Sequence, residues 1–235
     1  FMPEGLPDFS DGFDVYAGWE ITRKGDNSLT PEQNRLLAYG APLFLYNDDN
    51  VDSLESTAGT DTLKEMLEEW WEVTDRKSAL ETISWLLNEG QHAGADPALT
   101  EIRQRGIEAI TEEEKADEDS KIGDAFTIAE FVMGVNETTE ADLPETVLAW
   151  DLVRAVNMAR WAFICGYINE DEMWEAIRTT AGIAKESFNS WEEYGNSFAV
   201  GRGIWRGETD DYETADEVVG ALLNKEDSPW KAIEW

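Results

Sequence analysis

Two predicted helices carry polar side chains inside stripes of tryptophan and other apolar residues. When residues 145–165 are projected at about 100° per residue, polar side chains fall within or beside the stripe that contains Trp150 and Trp161. These polar residues are Asp151, Arg154, Asn157 and Arg160. Residues 191–206 place Arg202 in a similar apolar stripe. Because a buried guanidinium without a partner costs several kcal/mol, each of these arginines is expected within hydrogen-bonding distance of an anion.

The source of that anion separates a structural hypothesis from a functional one. In the structural hypothesis, carboxylates of the chain itself neutralise the arginines and fix the register of the helices. The candidate carboxylates are Asp151, Glu69, Glu72 and Glu193. In the functional hypothesis, three arginines converge on a cleft that binds a phosphate or carboxylate ligand, with Trp161 or Trp191 as a wall. The candidate ligand-binding residues are Asp151, Arg154, Asn157, Arg160, Trp161, Trp191 and Arg202.

The rest of the sequence offers little catalytic chemistry. A single His and a single Cys exclude a disulfide within the chain, a Cys-rich or multi-His zinc site, and any dyad without His92 or Cys165. His92 is predicted in a loop after a helix stop, and Cys165 is predicted as a small buried hydrophobe. Neither a calcium loop of the D-x-D-x-D-G type nor a glycine-rich phosphate loop occurs. We therefore predict no metal and no cofactor, and we assign no catalytic residue.

The charge balance limits the partners. The chain has 51 Asp and Glu against 18 Lys and Arg, which gives a formal net charge of −33. Such a chain repels nucleic-acid phosphates and anionic lipid, so no direct binding to nucleic acid or membrane is expected. No stretch reaches the roughly 18 apolar residues of a membrane helix. We predict a soluble, cytoplasmic protein, unless a signal peptide has been trimmed before Phe1.

Three functions are compatible with these observations. The first is a non-enzymatic interaction or immunity-type module that uses its acidic surface to bind a protein with a basic surface. The second is a protein or enzyme that binds a small anion through Arg154, Arg160 and Arg202. The third is a nucleic acid mimic, which requires two rows of carboxylates spaced like phosphates.

Capping signals and apolar periodicity predict an all-α protein. Helices are expected from the Thr30–Gln33 capping box to Gly40, from a cap at Thr74 or Asp75, and from further capping boxes at Asn169 and Ser190. A further helix is expected to start at Asp96-Pro97. The other predicted helical ranges are 60–71, 145–165 and 214–224, and an apolar segment at 125–135 interrupts an acidic stretch.

The predicted architecture is a compact bundle of about seven to nine helices in a single domain. The Trp-rich segment at about 145–165 is apolar on all sides and therefore forms the central helix. Residues 1–28 are predicted as an irregular arm pinned by Phe9, Phe13 and other aromatic side chains, and residues 111–124 as an acidic linker.

Five sequence blocks span most of the chain and include two that are rich in tryptophan. The blocks are TPEQNRLLAYGA (30–41), WWEVTDRKSALETISWLLNEG (70–90), AWDLVRAVNMARWAFICGYINEDEMWEAI (149–177), SFNSWEEYGNSFAVGRGIWRG (187–207) and SPW (228–230). Together they resemble the bacterial domain-of-unknown-function 1266 family. The resemblance implies a compact helical domain and brings no reaction with it. In this family Gly-His-Arg tends to follow the third helix, whereas this chain has Gly90-Gln91-His92.

Overall fold

The computed structural model describes residues 16–235, and its regular structure is helical, with no strand in that part of the chain. The prediction of an all-α fold is confirmed. In chain order the helices are α1 (Pro31–Leu37), α2 (Ala41–Tyr46), α3 (Thr60–Trp71), α4 (Arg76–Asn88), α5 (His92–Arg105), α6 (Glu112–Lys115), α7 (Ile122–Asn136), α8 (Leu148–Ile164), α9 (Glu170–Ser187), α10 (Trp191–Arg206), α11 (Thr209–Asn224) and α12 (Pro229–Ala232). Short 3-10 helices join some of them, at Ala38–Gly40, Ile107–Ala109 and Glu140–Asp142.

Helix α8 lies at the centre of the bundle, as its apolar pattern predicts. Every residue from Ala149 to Ala162 is buried, including the four polar ones. The helix packs against α4, α9 and α10. It begins at Leu148 rather than near 145, because the Asp96 carboxylate holds the Thr146 hydroxyl at 2.7 Å and the Val147 N–H at 2.8 Å.

Most of the predicted caps form. Thr30, Asp75 and Asn169 each close a capping box at the start of their helices. Ser190 also caps α10 by accepting the Glu193 N–H. The reciprocal half of the box predicted there is absent, because the Glu193 carboxylate accepts the N–H of Asn189 instead, at 2.9 Å.

The predicted start of α5 is wrong. The helix begins at His92, and Pro97 is its sixth residue rather than its first. The cap comes from the distant Asp151 carboxylate, which accepts the backbone N–H groups of Gln91 and His92 at 3.0 and 2.8 Å. Asp96, the predicted cap, is engaged at the start of α8 instead. His92 therefore lies in the first turn of a helix and not in a loop.

The acidic segments contain more helix than the sequence predicts. The apolar segment at 125–135 forms most of α7, and the range 111–124 contains α6 and the first turn of α7. Helix α11 starts at Thr209, five residues before the predicted position. Its first turn is joined to α10, because Asp211 pairs with Arg202 at 2.9 Å and with Arg206 at 3.5 Å.

The start of the described chain carries no helix, since residues 16–30 contain a turn and otherwise irregular backbone. The aromatic residues Phe9 and Phe13 of the predicted arm lie outside the described residues. Trp19 does pack on the bundle, with its ring stacked 6.3 Å from that of Tyr46. Across residues 16–235, none of the helices is both long enough and apolar enough to cross a membrane.

Candidate functional site

A cleft of about 1190 Å³ opens beside α8 and is framed by α2, α3, α4 and α10. The described residues include five large hydrophobic side chains that are exposed, and four of them line this cleft. Trp70 is 76% exposed, whereas each of the other three is 37% exposed. Exposed apolar residues usually lie scattered over a surface, so their convergence indicates a binding site. The four are Tyr46, Trp70, Trp85 and Trp205.

A strained helix end shapes one wall of the cleft. Helix α3 ends at Trp71, and the next residue, Glu72, adopts the left-handed conformation with φ of 56°. The N–H groups of Glu72 and Val73 then bond back to carbonyls of the last turn. This conformation costs a non-glycine residue on the order of 1 kcal/mol, and α7 ends in the same way at Glu137, outside the cleft.

A buried carboxylate lies beneath the cleft. Asp151 is fully buried and accepts four hydrogen bonds: two from backbone N–H groups at the start of α5, one from His92 and one from Arg154. The His92 Nδ1 lies 2.8 Å from Asp151 Oδ2. Because a carboxylate only accepts, Nδ1 carries the proton. This hydrogen bond raises the pKa of His92 above its ordinary value.

The Arg154 side chain leads from this carboxylate to the cleft. Its Nη2 pairs with Asp151, and its Nε donates to the Trp150 carbonyl at 3.3 Å. The guanidinium carbon lies 4.6 Å from the ring centroid of Trp150 and 5.6 Å from that of Trp71. Burial lowers the pKa of Arg154, and the Asp151 charge opposes that shift. Arg154 is thus held between two indole rings and neutralised from within the chain.

Arg202 occupies a similar position on α10. Its Nη2 donates to the Tyr46 hydroxyl at 3.0 Å and pairs with Asp211 at 2.9 Å. Its guanidinium carbon lies 4.3 Å from the Tyr46 ring and 5.7 Å from the Trp150 ring. Two buried donors here, Arg202 Nε and Trp150 Nε1, have no hydrogen-bond partner within residues 16–235.

The two arginines join three rings into one stack, which we call the arginine–aromatic ladder. Arg154 and Arg202 alternate with aromatic side chains, and Trp150 contacts both guanidiniums. All members of the ladder line the cleft. In order they are Trp71, Arg154, Trp150, Arg202 and Tyr46.

Arg160 does not join the other arginines at the cleft, contrary to the predicted convergence. It is fully buried, pairs with Asp49 at 3.1 Å and donates to the Glu55 carbonyl at 2.7 Å. It therefore anchors the loop between α2 and α3. Asn157 is also remote from the cleft lining: its Nδ2 donates to the carbonyls of Gly40 and of α8 itself, at 3.1 and 2.9 Å.

Only one of the two tryptophans predicted as a wall of the site lies at the cleft. Trp161 lines the cleft, whereas Trp191 does not. The Trp191 ring stacks on Trp230 at 5.0 Å, and its Nε1 donates to the Ile233 carbonyl at 2.7 Å. Trp191 therefore holds the C-terminal segment against the bundle.

Sequence reasoning did not identify one side of the cleft, which we call the α3–α4 wall. It expected Glu69, Glu72 and Glu193 to neutralise the arginines, but the arginines pair instead with Asp151, Asp49 and Asp211. The indole rings of this wall, at Trp70 and Trp85, contact no other ring and no cation within the part of the chain that the structure describes. A tryptophan pair closing a helix was the available signal, because adjacent helical residues cannot both face the core. The wall consists of Met66, Glu69, Trp70, Glu72 and Trp85.

Other chemistry is sparse in residues 16–235. They contain no group of three or more His, Cys, Asp or Glu side chains placed to hold a metal ion. Cys165 is buried, and burial raises the pKa of its thiol. The arrangement at the cleft therefore offers stacking, ion pairing and hydrogen bonding.

Comparison with known protein families identifies the family of this chain. The model of a family described as "Protein of unknown function (DUF1266)" matches residues 66–235. This range covers most of the chain and includes α8 and the α3–α4 wall, while the block at 30–41 precedes it. No curated protein and no solved structure matches the chain. The resemblance found from the sequence is thereby confirmed at the level of the family.

Proposed function

Because the chain belongs to the DUF1266 family, whose description gives no activity, we propose its function from the cleft itself. The protein is an interaction module whose cleft binds a basic segment of a partner protein. One observation carries this proposal: exposed aromatic side chains converge with unpaired carboxylates, in a chain whose net charge is −33. Aromatic anchors in a concave site are typical of protein recognition.

The charges that line the cleft favour a cationic occupant. The cleft arginines already have carboxylate partners in the chain, since Arg154 pairs with Asp151 and Arg202 pairs with Asp211. By contrast, the Glu69 and Glu72 side chains make no ion pair or hydrogen bond among the described residues. A cation that enters the cleft can therefore pair with these two carboxylates. An anion would meet arginines whose charge is already neutralised by carboxylates of the chain.

The shape of the cleft also fits a segment of a partner chain. Its volume of about 1190 Å³ exceeds that of typical small-molecule pockets, which span roughly 300–1,000 Å³. The Trp70 ring stands largely in solvent at its edge. Burying such a ring against a partner removes apolar area from water, and each 100 Å² is worth roughly 2.5 kcal/mol before the costs of association.

A small anion is the second candidate occupant. Arg154 and Arg202 both line the cleft, and two buried donors, Trp150 Nε1 and Arg202 Nε, have no hydrogen-bond partner among the described residues. An anion that displaced a chain carboxylate and reached these buried donors would satisfy them. It would also have to overcome the long-range repulsion of a chain with a net charge of −33.

The two candidates are separated by calorimetric titration with two probes: a six-residue peptide of alternating arginine and lysine, and inorganic phosphate. We expect the peptide to bind and phosphate not to bind. Trp70→Ala should weaken peptide binding about fivefold, because it removes a cation–π platform worth roughly 1 kcal/mol. Val135→Ala is the matched control, since Val135 is exposed outside the cleft and neither substitution alters the charge.

Equal peptide affinities for the wild-type protein and Trp70→Ala would overturn the proposal, because binding would then reflect diffuse charge. Saturable binding of phosphate, lost in Arg202→Gln, would support the second candidate in its place. Salt should weaken peptide binding by the wild-type protein and by Val135→Ala to the same degree, since screening acts on the same net charge in both.

A further inference from the structure

We infer that the partner side chain accepted by the cleft is arginine rather than lysine, and that its guanidinium stacks on the free rings of Trp70 and Trp85. This inference rests on the proposed function and specifies the chemistry of the partner. Stacking there would extend the arginine–aromatic ladder across the α3–α4 wall.

The aromatic rings of the cleft already contact one kind of cation from the chain itself. Every cation within stacking distance of a described ring in the cleft is a guanidinium. Besides the two arginines of the ladder, Arg206 lies 5.4 Å from the Trp205 ring. Lysine ammonium groups also stack on rings of this protein, but at Phe126 and Trp235, which do not line the cleft.

The physical difference between the two cations explains this selection. A guanidinium is planar and weakly hydrated, so it can lie flat on an indole and lose its water at low cost. An ammonium is compact and strongly hydrated, so the same transfer costs it more. A guanidinium can in addition form a bidentate pair with a carboxylate, and Glu69 and Glu72, which line the same cleft, make no ion pair among the described residues.

The two arginines of the ladder are not available to cover these rings, and Arg206 is paired with Asp211 at 3.5 Å and lies over the Trp205 ring. Arg154 is buried and paired with Asp151, and Arg202 is paired with Asp211 and bonded to Tyr46. The ladder therefore ends at Trp71, directly before the helix terminus at Glu72. Trp70, the preceding residue of α3, also lines the cleft, and its ring has no cation within stacking distance among the described residues.

The test compares hexaarginine with hexalysine, which carry the same charge, by titration against the full chain in identical buffer. We expect hexaarginine to bind about tenfold more tightly to the wild-type protein, because both guanidinium stacking and bidentate pairing favour it. In the double variant Trp70→Ala/Trp85→Ala, this ratio should fall to about twofold, since the stacking platforms are gone. Val135→Ala should keep the full ratio.

The outcomes distinguish this inference from the proposed function. Equal binding of both peptides to the wild-type protein, weakened by Trp70→Ala, overturns the arginine selectivity and leaves the interaction module in place. A tenfold ratio that persists in the double variant also overturns it, because the preference would then arise elsewhere. If the tryptophan substitutions do not change the binding of either peptide, both proposals are overturned. If the double variant fails to fold, the single substitution Trp70→Phe replaces it, and the ratio should again fall.

Discussion

The two sides of the cleft use the same residue types for different purposes. On the α8 and α10 side, rings and arginines are packed into the arginine–aromatic ladder, and each guanidinium has a carboxylate of the chain as its partner. On the α3–α4 wall, rings and carboxylates line the same cleft without partners in the part of the chain that the structure describes. A tryptophan beside a charge is thus part of the scaffold when the counter-charge lies in the chain, and available for recognition when it does not.

The largest expected effect follows from breaking the scaffold side at its buried carboxylate. Asp151→Ala leaves Arg154 buried without an anion and removes the cap of α5. We expect the free energy of unfolding to fall by about 3–5 kcal/mol, measured by urea denaturation. Glu69→Gln is the matched substitution on the α3–α4 wall, and it should change stability by less than about 0.5 kcal/mol. Similar losses from both variants would contradict the division between the two sides.

A smaller effect is expected at Gly90, which lets the backbone approach that carboxylate. Gly90 has φ of +51°, and a Cβ added there would collide with the side chain of Asp151. Gly90→Ala should therefore lower the free energy of unfolding by about 1–3 kcal/mol. Gly182→Ala in α9 is the control, because a Cβ there meets nothing within 4 Å and should add about 0.5–1 kcal/mol. A neutral Gly90→Ala would mean that the α4–α5 turn is not constrained by Asp151.

The smallest expected effect is a dependence of the free energy of unfolding on pH, which arises from His92. The hydrogen bond to Asp151 raises the pKa of His92 above 6.5, burial and the nearby Arg154 oppose the shift, and Asp96 adds to it. Because the folded-state pKa is raised, the stabilisation is fully present below pH 6.5 and is lost as the pH rises through the folded value. The free energy of unfolding, measured at a series of pH values from below 6.5 upward, should show that decline. His92→Gln should make this part of the pH profile flatter.

His92 is the only histidine in the sequence, so one imidazole resonance in an NMR titration reports its pKa directly. A value at or below 6.5 would mean that the pairing with Asp151 does not stabilise the protonated ring. Burial also raises the pKa of Asp96, and its contribution has the same sign but falls in the acidic range of carboxylates. The two transitions are therefore separable in the pH profile.

Local signals explain how much of the fold was predictable. The start of α9 at Asn169 and the end of α10 at Arg206 follow from neighbouring residues, because capping and periodicity act over a few positions. The start of α5 was not predictable in this way. Its cap is supplied by Asp151, sixty positions further along the chain, and no pattern near His92 indicates that carboxylate.

The candidate site was also only partly predictable from the sequence. Arg154 and Arg202 stood out because each interrupts an apolar stripe, and both do line the cleft. Arg160 interrupts its helix in the same manner, yet it points to a different neighbour, the loop at Asp49 and Glu55. A helical projection gives the direction of a side chain but not the element that faces it.

The sequence by itself determined that α8 would be the central helix, because its apolar periodicity is a property of the residues themselves. It also determined that the buried arginines of α8 would need anions, because an unpaired buried charge costs free energy in any fold. Only the tertiary structure decided which carboxylate meets which arginine, and that Trp70 and Trp85 share a cleft with them. The physical reason is that ion pairing and aromatic stacking act over a few ångströms between side chains that the sequence separates by many positions.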